Sequence, residues 1–287
     1  MTARARGIAL TAAGVLVLSP DSILIRLLGA DLATTLFWRG LAMGVGLFAY
    51  IVIRDRGTTA MLRQLRRPQG WGLGVLFALS NILFVTALAN TSVADTLGCL
   101  ATASIFAALL STVFLRERAP LRVWVVSAVI ALGLFLIAVG GAGSGFGRLI
   151  GVATAAVFGA TFVVMRATGD GDTLPGLALG GALIALASAW PASPLSLDTT
   201  GLGALAAMAV VLPLAFGLIG RGPRYLPAPE VSLLMLLETV FGTLWAWLWL
   251  AEAPTATTLL AIAIILGALA AFYARQAQVN RLRSVPA

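Results

Sequence analysis

The chain has 287 residues, of which 60% are hydrophobic and only 10% are charged, and its mean hydropathy is +1.01. Soluble globular proteins have roughly 45–50% apolar and about 25% charged residues, so this composition excludes an ordinary soluble domain and favours a membrane protein. The net charge of +8 comes from arginine, since the chain has no lysine and no histidine. Because the arginines lie in short loops between apolar segments and form no continuous basic face, we predict no nucleic-acid partner.

Ten apolar segments follow one another along the chain, each of about 20 residues, which is the length that crosses a bilayer. They predict an all-α integral membrane protein with ten transmembrane helices, numbered here as spans 1 to 10. The predicted bounds are 7–29, 32–53, 71–90, 93–115, 122–141, 147–168, 174–193, 201–220, 229–250 and 256–275. The first segment is long enough to span, and no clean small-residue cleavage site follows it, so we expect no cleaved signal peptide.

The arginines predict the orientation of the spans. With the N-terminus in the cytoplasm, 16 of the 19 arginines lie on the cytoplasmic side, Arg148 lies outside, and Arg26 and Arg39 lie within spans 1 and 2. The positive-inside rule therefore places both termini in the cytoplasm, which requires an even number of spans. The expected setting is the lipid bilayer of the inner (cytoplasmic) membrane, which the chain crosses several times.

The second half of the chain repeats the first at an offset of 135 residues. The aligned pairs are Asp95 with Glu230, Phe106 with Phe241, and Glu117 with Glu252. Arg26 near the end of span 1 likewise corresponds to Arg166 near the end of span 6. We predict two five-helix repeats, at 1–142 and 143–287. Because five is odd, the repeats must be inverted relative to each other, an arrangement that is characteristic of secondary transporters.

Charged residues inside the spans are the first candidates for a functional site, since each costs roughly 2.5–3.5 kcal/mol to insert. Asp21 and Arg39 lie at similar depths in spans 1 and 2 and are expected to pair, either as a gate or substrate contact or as a static lock. Glu238 lies near the middle of span 9, where the first repeat has Ala103. It is interpreted as a ligand for a substrate amino group, as a proton carrier, or as a structural carboxyl group.

Polar and aromatic residues in other spans complete the predicted substrate site. They are Ser19, Ser80, Asn81, Thr102, Ser104, Phe158, Thr161 and Phe241. Each has a structural alternative, which is an interhelical hydrogen bond for the polar residues and plain packing for the rings. Trp245, near the outer end of span 9, is interpreted as a membrane-interface anchor. No metal site is predicted, because Cys99 is the sole cysteine and histidine is absent.

Two long runs resemble a known family. They are ALANTSVADTLGCLATASIFAALLSTVFLRERAP at 87–120 and RYLPAPEVSLLMLLETVFGTLWAWLWLAEAP at 224–254. Both resemble the EamA-type domain of the drug/metabolite transporter superfamily, and Arg39 in FWRG looks like the arginine of the family's second helix. The resemblance covers nearly the whole chain as two tandem domains and is greatest to the aromatic amino-acid exporters. It implies alternating access and a central cavity lined mainly by spans 1, 3, 4, 6, 8 and 9.

We therefore expect a secondary transporter that exports small metabolites, with amino acids (aromatic and other neutral ones) as the favoured substrates. A multidrug or quaternary-cation exporter is the alternative. An enzyme is disfavoured because the chain has no GxSxG and no HExxH motif, and no cofactor is expected. A channel is disfavoured because channels commonly build the pore from several subunits, whereas this chain carries its own internal symmetry, which is compatible with a monomer.

Overall fold

The structure, a computed structural model, describes residues 2–117, 120–121, 123–129, 132, 144–169, 171–251, 253, 256, 259–260 and 262–271. Every regular element of these residues is helical, which confirms the all-α membrane protein. Seven helices, spans 1–4, 6, 8 and 9, are long and apolar enough to cross a membrane. Their bounds are Ala3–Leu27, Leu32–Asp55, Pro68–Asn90, Val93–Leu115, Gly145–Ala167, Thr199–Arg224 and Ala228–Trp249.

Two further apolar helices are shorter. Span 7 is Leu174–Ser188, and Ile262–Ala271 lies within span 10. The predicted end of span 7 at 193 was wrong, because Pro191 disfavours a helical conformation in the residue before it and the helix stops earlier. Most of the predicted span 5 lies outside the described residues, as does Glu252. A short cytoplasmic helix, Thr59–Leu65, joins spans 2 and 3 and was not predicted.

Span 1 is broken towards its outer end. One helix, Ala3–Leu18, stops at Ser19, and a second, Asp21–Leu27, begins directly after Pro20. Proline has no N–H to donate and its ring crowds the preceding turn, so a continuous helix is disrupted here. The Ser19 hydroxyl donates to the Leu16 carbonyl oxygen over 2.8 Å, which satisfies one of the freed backbone groups. Broken helices at membrane depth commonly border transporter substrate sites.

Span 4 is interrupted as well. Its helices Val93–Leu100 and Ala103–Leu110 are separated by a turn in which the Thr102 hydroxyl donates to Cys99 O over 2.7 Å. A single turn of π-helix, Ser111–Leu115, completes the span. The breaks in spans 1 and 4 leave the backbone irregular on both sides of the centre of the molecule.

The starts of spans 2–4 and 6–9 differ between the two membrane surfaces, which are named outer and cytoplasmic after the orientation that the arginines predict. Spans 2, 4, 6 and 8 start at the outer surface with a side chain that accepts a hydrogen bond from the backbone N–H three residues later. These capping residues are Asp31, Ser92, Ser144 and Asp198. Spans 3, 7 and 9 start at the cytoplasmic surface with a proline in the first turn, where its missing N–H costs nothing. These local signals mark where each helix begins.

Spans 2 and 7 form the closest seam between the two halves. A Cβ on Gly181 would lie 2.5 Å from the Gly44 nitrogen, and one on Gly40 would lie 2.5 Å from the Ala185 nitrogen. Real Cβ atoms do not approach this closely, so only glycine permits the contact. Close backbone approach through small residues is the usual source of helix association in lipid, where the hydrophobic effect between helices is absent.

Six of the other spans form two groups. Spans 1, 8 and 9 pack together as the first group, and spans 3, 4 and 6 pack together as the second group. The pairing of span 1 with spans 8 and 9 is repeated by the pairing of span 6 with spans 3 and 4. The pairing of span 2 with span 8 is repeated by that of span 7 with span 3. This is the pattern that a pseudo-two-fold axis between inverted repeats produces.

Candidate functional site

A cavity of about 240 Å³ lies between the first and second groups. Its walls come from spans 1, 2, 3, 4, 6, 8 and 9, and the lining residues are Leu18, Asp21, Arg39, Asn81, Phe84, Leu100, Phe158, Phe216 and Glu238. Small-molecule sites span roughly 300–1,000 Å³, so the structure shows a nearly closed state.

An ion pair forms one wall of the cavity. The Arg39 guanidinium donates from Nη1 to Asp21 Oδ1, and both side chains are 1% exposed. The same guanidinium lies 5.8 Å from the centre of the Phe84 ring, a cation–π contact. Burial of one such charge without a partner would be very costly, so pairing explains how both are retained at this depth. The pairing predicted from their depths in spans 1 and 2 is thus confirmed.

Asn81 binds a second nitrogen of the Arg39 guanidinium. Its Oδ1 accepts from Arg39 Nη2 over 3.2 Å, while its Nδ2 donates to Phe77 O one turn earlier over 2.8 Å. The Arg39 Nε–H, by contrast, has no hydrogen-bond partner within the part of the chain that the structure describes. A buried donor without a partner costs about 1–3 kcal/mol, so this N–H is available to an acceptor that enters the cavity.

Glu238, in span 9 of the first group, also lines the cavity. It is the eleventh of the 23 residues in its helix, so it lies close to the middle of the membrane. The side chain is 4% exposed, and it makes no ion pair or hydrogen bond to any residue that the structure describes. An ionisable side chain at this depth marks a functional site by default.

Three phenylalanine rings provide the apolar walls. Phe158 packs edge-on against Phe162 with ring centres 5.1 Å apart, and Phe216 packs edge-on against Phe77 at 4.9 Å. These contacts with rings outside the cavity fix the orientation of the two lining rings. Phe84 is the third ring, held by the cation above it. The cavity therefore combines two carboxyl groups, one guanidinium and three aromatic surfaces.

Trp245 closes the space on the outer side of span 1. Its Nε1 donates to Ser19 Oγ over 3.0 Å, at the break in span 1. The indole is half-buried and packs against the protein core, and its predicted role as a membrane-interface anchor stays a prediction. Six residues earlier in span 9, Thr239 Oγ1 donates to Leu97 O over 3.2 Å and joins span 9 to span 4. These contacts join span 9 to spans 1 and 4.

The remaining predicted site residues lie outside this cavity. The Ser80, Thr102 and Thr161 hydroxyls donate to carbonyl oxygens three or four residues earlier in their own spans. Ser104 shares a 3.2 Å hydrogen bond with Ser127, and Phe241 is half-buried away from the cavity lining. Contact of these residues with a substrate stays a prediction.

Sequence reasoning also missed four residues that line the cavity. They are Leu18, Phe84, Leu100 and Phe216. All four are apolar residues in apolar helices, so nothing in the sequence separates them from lipid-facing neighbours. The polar residues that were predicted and do line the cavity, Asp21, Arg39, Asn81 and Glu238, stood out because each is costly in a bilayer.

Comparison with known proteins assigns the family. The model of the EamA-like transporter family matches residues 5–139 and matches again over residues 145–274. A solved chain, described only as the crystal structure of a protein, is similar with a TM-score of 0.74 and 20% identity, over 98% of this chain and 100% of that one. At this identity the likeness shows the fold alone. No functionally curated protein matches the chain.

The family match, the helical membrane fold and the central cavity agree with one another. Each of the two matched segments corresponds to one five-helix unit, and the cavity lies where the two units meet. Together the matched segments cover nearly the whole chain, and the chain belongs to the EamA-like transporter family, within the drug/metabolite transporter superfamily.

Proposed function

We propose that this transporter exports amino acids, aromatic and other neutral ones, from the cytoplasm by alternating access. The observation that carries the proposal is that an acidic group and a hydrogen-bond donor of opposite charge line the same cavity. These are the carboxyl group of Glu238, which has no ion-pair partner among the described residues, and the free Nε–H of Arg39. A zwitterion carries the two complementary groups.

The roles follow from charge. The substrate ammonium group binds the Glu238 carboxylate, and the substrate carboxylate accepts from Arg39 Nε. Asp21 and Asn81 hold the other two guanidinium nitrogens, so the free N–H points in a fixed direction. Pre-organised charges of both signs recognise a zwitterion without having to be assembled when it arrives.

The aromatic rings of the cavity explain the proposed preference for substrates with an apolar or aromatic side chain. Phe84, Phe158 and Phe216 offer aromatic surfaces on which an apolar or aromatic side chain packs. The cavity is smaller than a typical small-molecule site, so the two helix groups move apart to admit the substrate. Interior packing does not deform continuously, and this movement is therefore a change between discrete states.

The proposed setting is the cytoplasmic membrane, with one chain as the transport unit. The arginine distribution supports this orientation. Both inverted repeats are present in a single chain, so one copy contains every wall of the cavity.

Counterflow in proteoliposomes tests the proposal. Vesicles loaded with an unlabelled amino acid are expected to accumulate the labelled one, and Glu238→Gln is expected to reduce the rate at least tenfold. Asp198→Asn is the matched control: this exposed acid caps the start of span 8, and asparagine caps equally well, so flux should be unchanged. Absence of saturable counterflow for aromatic and aliphatic amino acids alike would refute the substrate assignment.

A multidrug or quaternary-cation exporter is the second candidate. The observation that favours it is the unpaired Glu238 carboxylate in a cavity with three aromatic rings, since rings and a carboxylate both attract a cation. Competition by amino-acid methyl esters separates the two functions, because the esters keep the ammonium group and lose the carboxylate. Strong inhibition by the esters and by tetraalkylammonium ions favours the cation exporter, and weak inhibition favours the amino-acid exporter.

A further inference from the structure

Two arginines connect the first and second groups, one at each membrane surface. At the outer end of span 1, Arg26 Nη2 donates to Thr91 O in the turn between spans 3 and 4, over 2.9 Å. At the inner end of span 6, Arg166 Nη1 donates to Pro223 O in the last turn of span 8, next to the loop that leads to span 9, over 3.1 Å. Each arginine therefore extends from its own group to the other group.

The two contacts are equivalent under the internal symmetry. The arginines are 140 residues apart, and so are Gly7 and Gly147 in the same two spans. A Cβ on Gly147 would lie 2.9 Å from Thr91 Cβ, and a Cβ on Gly7 would lie 2.6 Å from Tyr225 Cβ. Spans 1 and 6 thus press against matching loops at opposite surfaces.

Each loop is also held by an ion pair. Asp95, just after the outer loop, lies 3.8 Å from Arg148, and its repeat counterpart Glu230 binds Arg4 on the inner side. The first of these ion pairs couples span 6 to span 4, and the second couples span 1 to span 9. Each ion pair therefore acts within its own group and holds the adjacent loop to that group. The contacts of Arg26 and Arg166, by contrast, link the two groups, and each must break if the groups separate at its own surface.

We infer that Arg26 is the outer latch and Arg166 the inner latch of the transport cycle, an inference that rests on the alternating access proposed above. Both latches are closed in the structure, in agreement with a cavity that is nearly closed. Opening to the outside breaks the contact of Arg26 and keeps that of Arg166, and opening to the cytoplasm does the reverse. Both are positioning residues, since neither lines the cavity.

The asymmetry between the latches fixes one further expectation. The Arg166 Nε also donates to Glu117 Oε1 over 3.2 Å, so this guanidinium is oriented by a carboxylate of its own group. Glu117→Gln weakens that orientation, and the variant should behave as a milder form of Arg166→Gln.

Thiol accessibility measures the position of the latches without reference to any substrate. The natural cysteine is removed as Cys99→Ala, and Leu18→Cys places a single reporter in the cavity wall. A membrane-impermeant maleimide is then applied to right-side-out and to inverted vesicles. Arg26→Gln should raise labelling from outside relative to inside about tenfold, and Arg166→Gln should lower that ratio about tenfold. A tenfold change corresponds to about 1.4 kcal/mol, the scale of one charge-assisted hydrogen bond.

Three controls make the result decisive. Arg63→Gln removes an exposed cytoplasmic arginine of the short helix and should leave the ratio unchanged. The double variant Arg26→Gln/Arg166→Gln should return the ratio towards that of the parent, which a misfolded protein would not do. The inference is overturned if both single variants shift the ratio in the same direction, if neither shifts it, or if the reporter stays unreactive throughout. The labelling assay measures no flux. Its result therefore does not depend on whether amino acids are the transported substrate.

Discussion

The buried Asp21–Arg39 pair makes a strong quantitative prediction about stability. Replacing either partner alone, as Asp21→Ala or Arg39→Met, leaves an uncompensated charge at a site where both side chains are 1% exposed. Loss of one partner of a buried pair costs about 3–5 kcal/mol. The Arg39 variant also removes the hydrogen bond to Asn81 and the contact with the Phe84 ring, so it should lie at the upper end of that range.

The double variant Asp21→Ala/Arg39→Met is expected to be more stable than either single variant. With both charges gone, no ion is left buried, and the apolar replacement of a buried pair is often neutral or stabilising. The loss of stability in the double variant should therefore be smaller than the sum of the two single losses. The expected difference is about 3 kcal/mol, the upper end of the coupling that interacting neighbours show.

The assay is reversible unfolding in mixed micelles, followed by the fluorescence of the chain's seven tryptophans. The control is the pair Arg54–Asp172, whose side chains are 33% and 23% exposed. A pair with this exposure contributes about 0–1 kcal/mol, so Arg54→Met and Asp172→Ala should have small and additive effects. The reasoning is refuted if the buried single variants lose less than about 1 kcal/mol, or if their losses simply add.

Three further predictions concern packing and closure. Gly181→Ala at the seam of spans 2 and 7 should destabilise the protein by about 1–3 kcal/mol through overpacking, whereas Gly72→Ala, whose Cβ meets nothing within 4 Å, should be neutral or stabilising in the same unfolding assay. Trp245→Phe removes the N–H that binds Ser19 and should increase labelling of the cavity reporter from the outer side, and unchanged labelling would contradict this closing role. Asp198→Ala should cost about 1 kcal/mol by loss of a helix cap, a value that thermal denaturation can check against the capping-competent asparagine variant.

The features that the sequence predicted correctly are those with a strong energetic signature in a bilayer. The pairing of Asp21 with Arg39 followed from their similar depth and opposite charge, since neither is tolerated alone in hydrocarbon. The presence of Glu238 in the cavity wall followed from the same cost. Span positions followed from the length that a helix needs to cross the membrane. In each case a single physical requirement left few alternatives.

The features that the sequence missed depend on helix rotation and packing. Ser80 and Asn81 are adjacent and equally polar, yet Asn81 faces the cavity and Ser80 bonds to its own helix, because successive residues point about 100° apart around a helix. Phe84 and Phe216 are in uniformly apolar spans, where no polar face shows which side meets lipid. Only the positions of the neighbouring helices settle these orientations.

The two repeats preserve the contacts that close the molecule, and they differ in the groups that line the cavity. Arg26 and Arg166 make equivalent contacts at opposite surfaces. Glu238 aligns with Ala103, 135 residues earlier. Asp21 aligns with Thr161 at the 140-residue offset that relates Arg26 to Arg166, and the Thr161 hydroxyl bonds to its own helix. Alternating access requires that the two halves exchange conformations, so the closing contacts must be equivalent. In the proposed cycle the binding groups are under no such requirement, because one set of charges would meet the substrate in both the inward-open and the outward-open state.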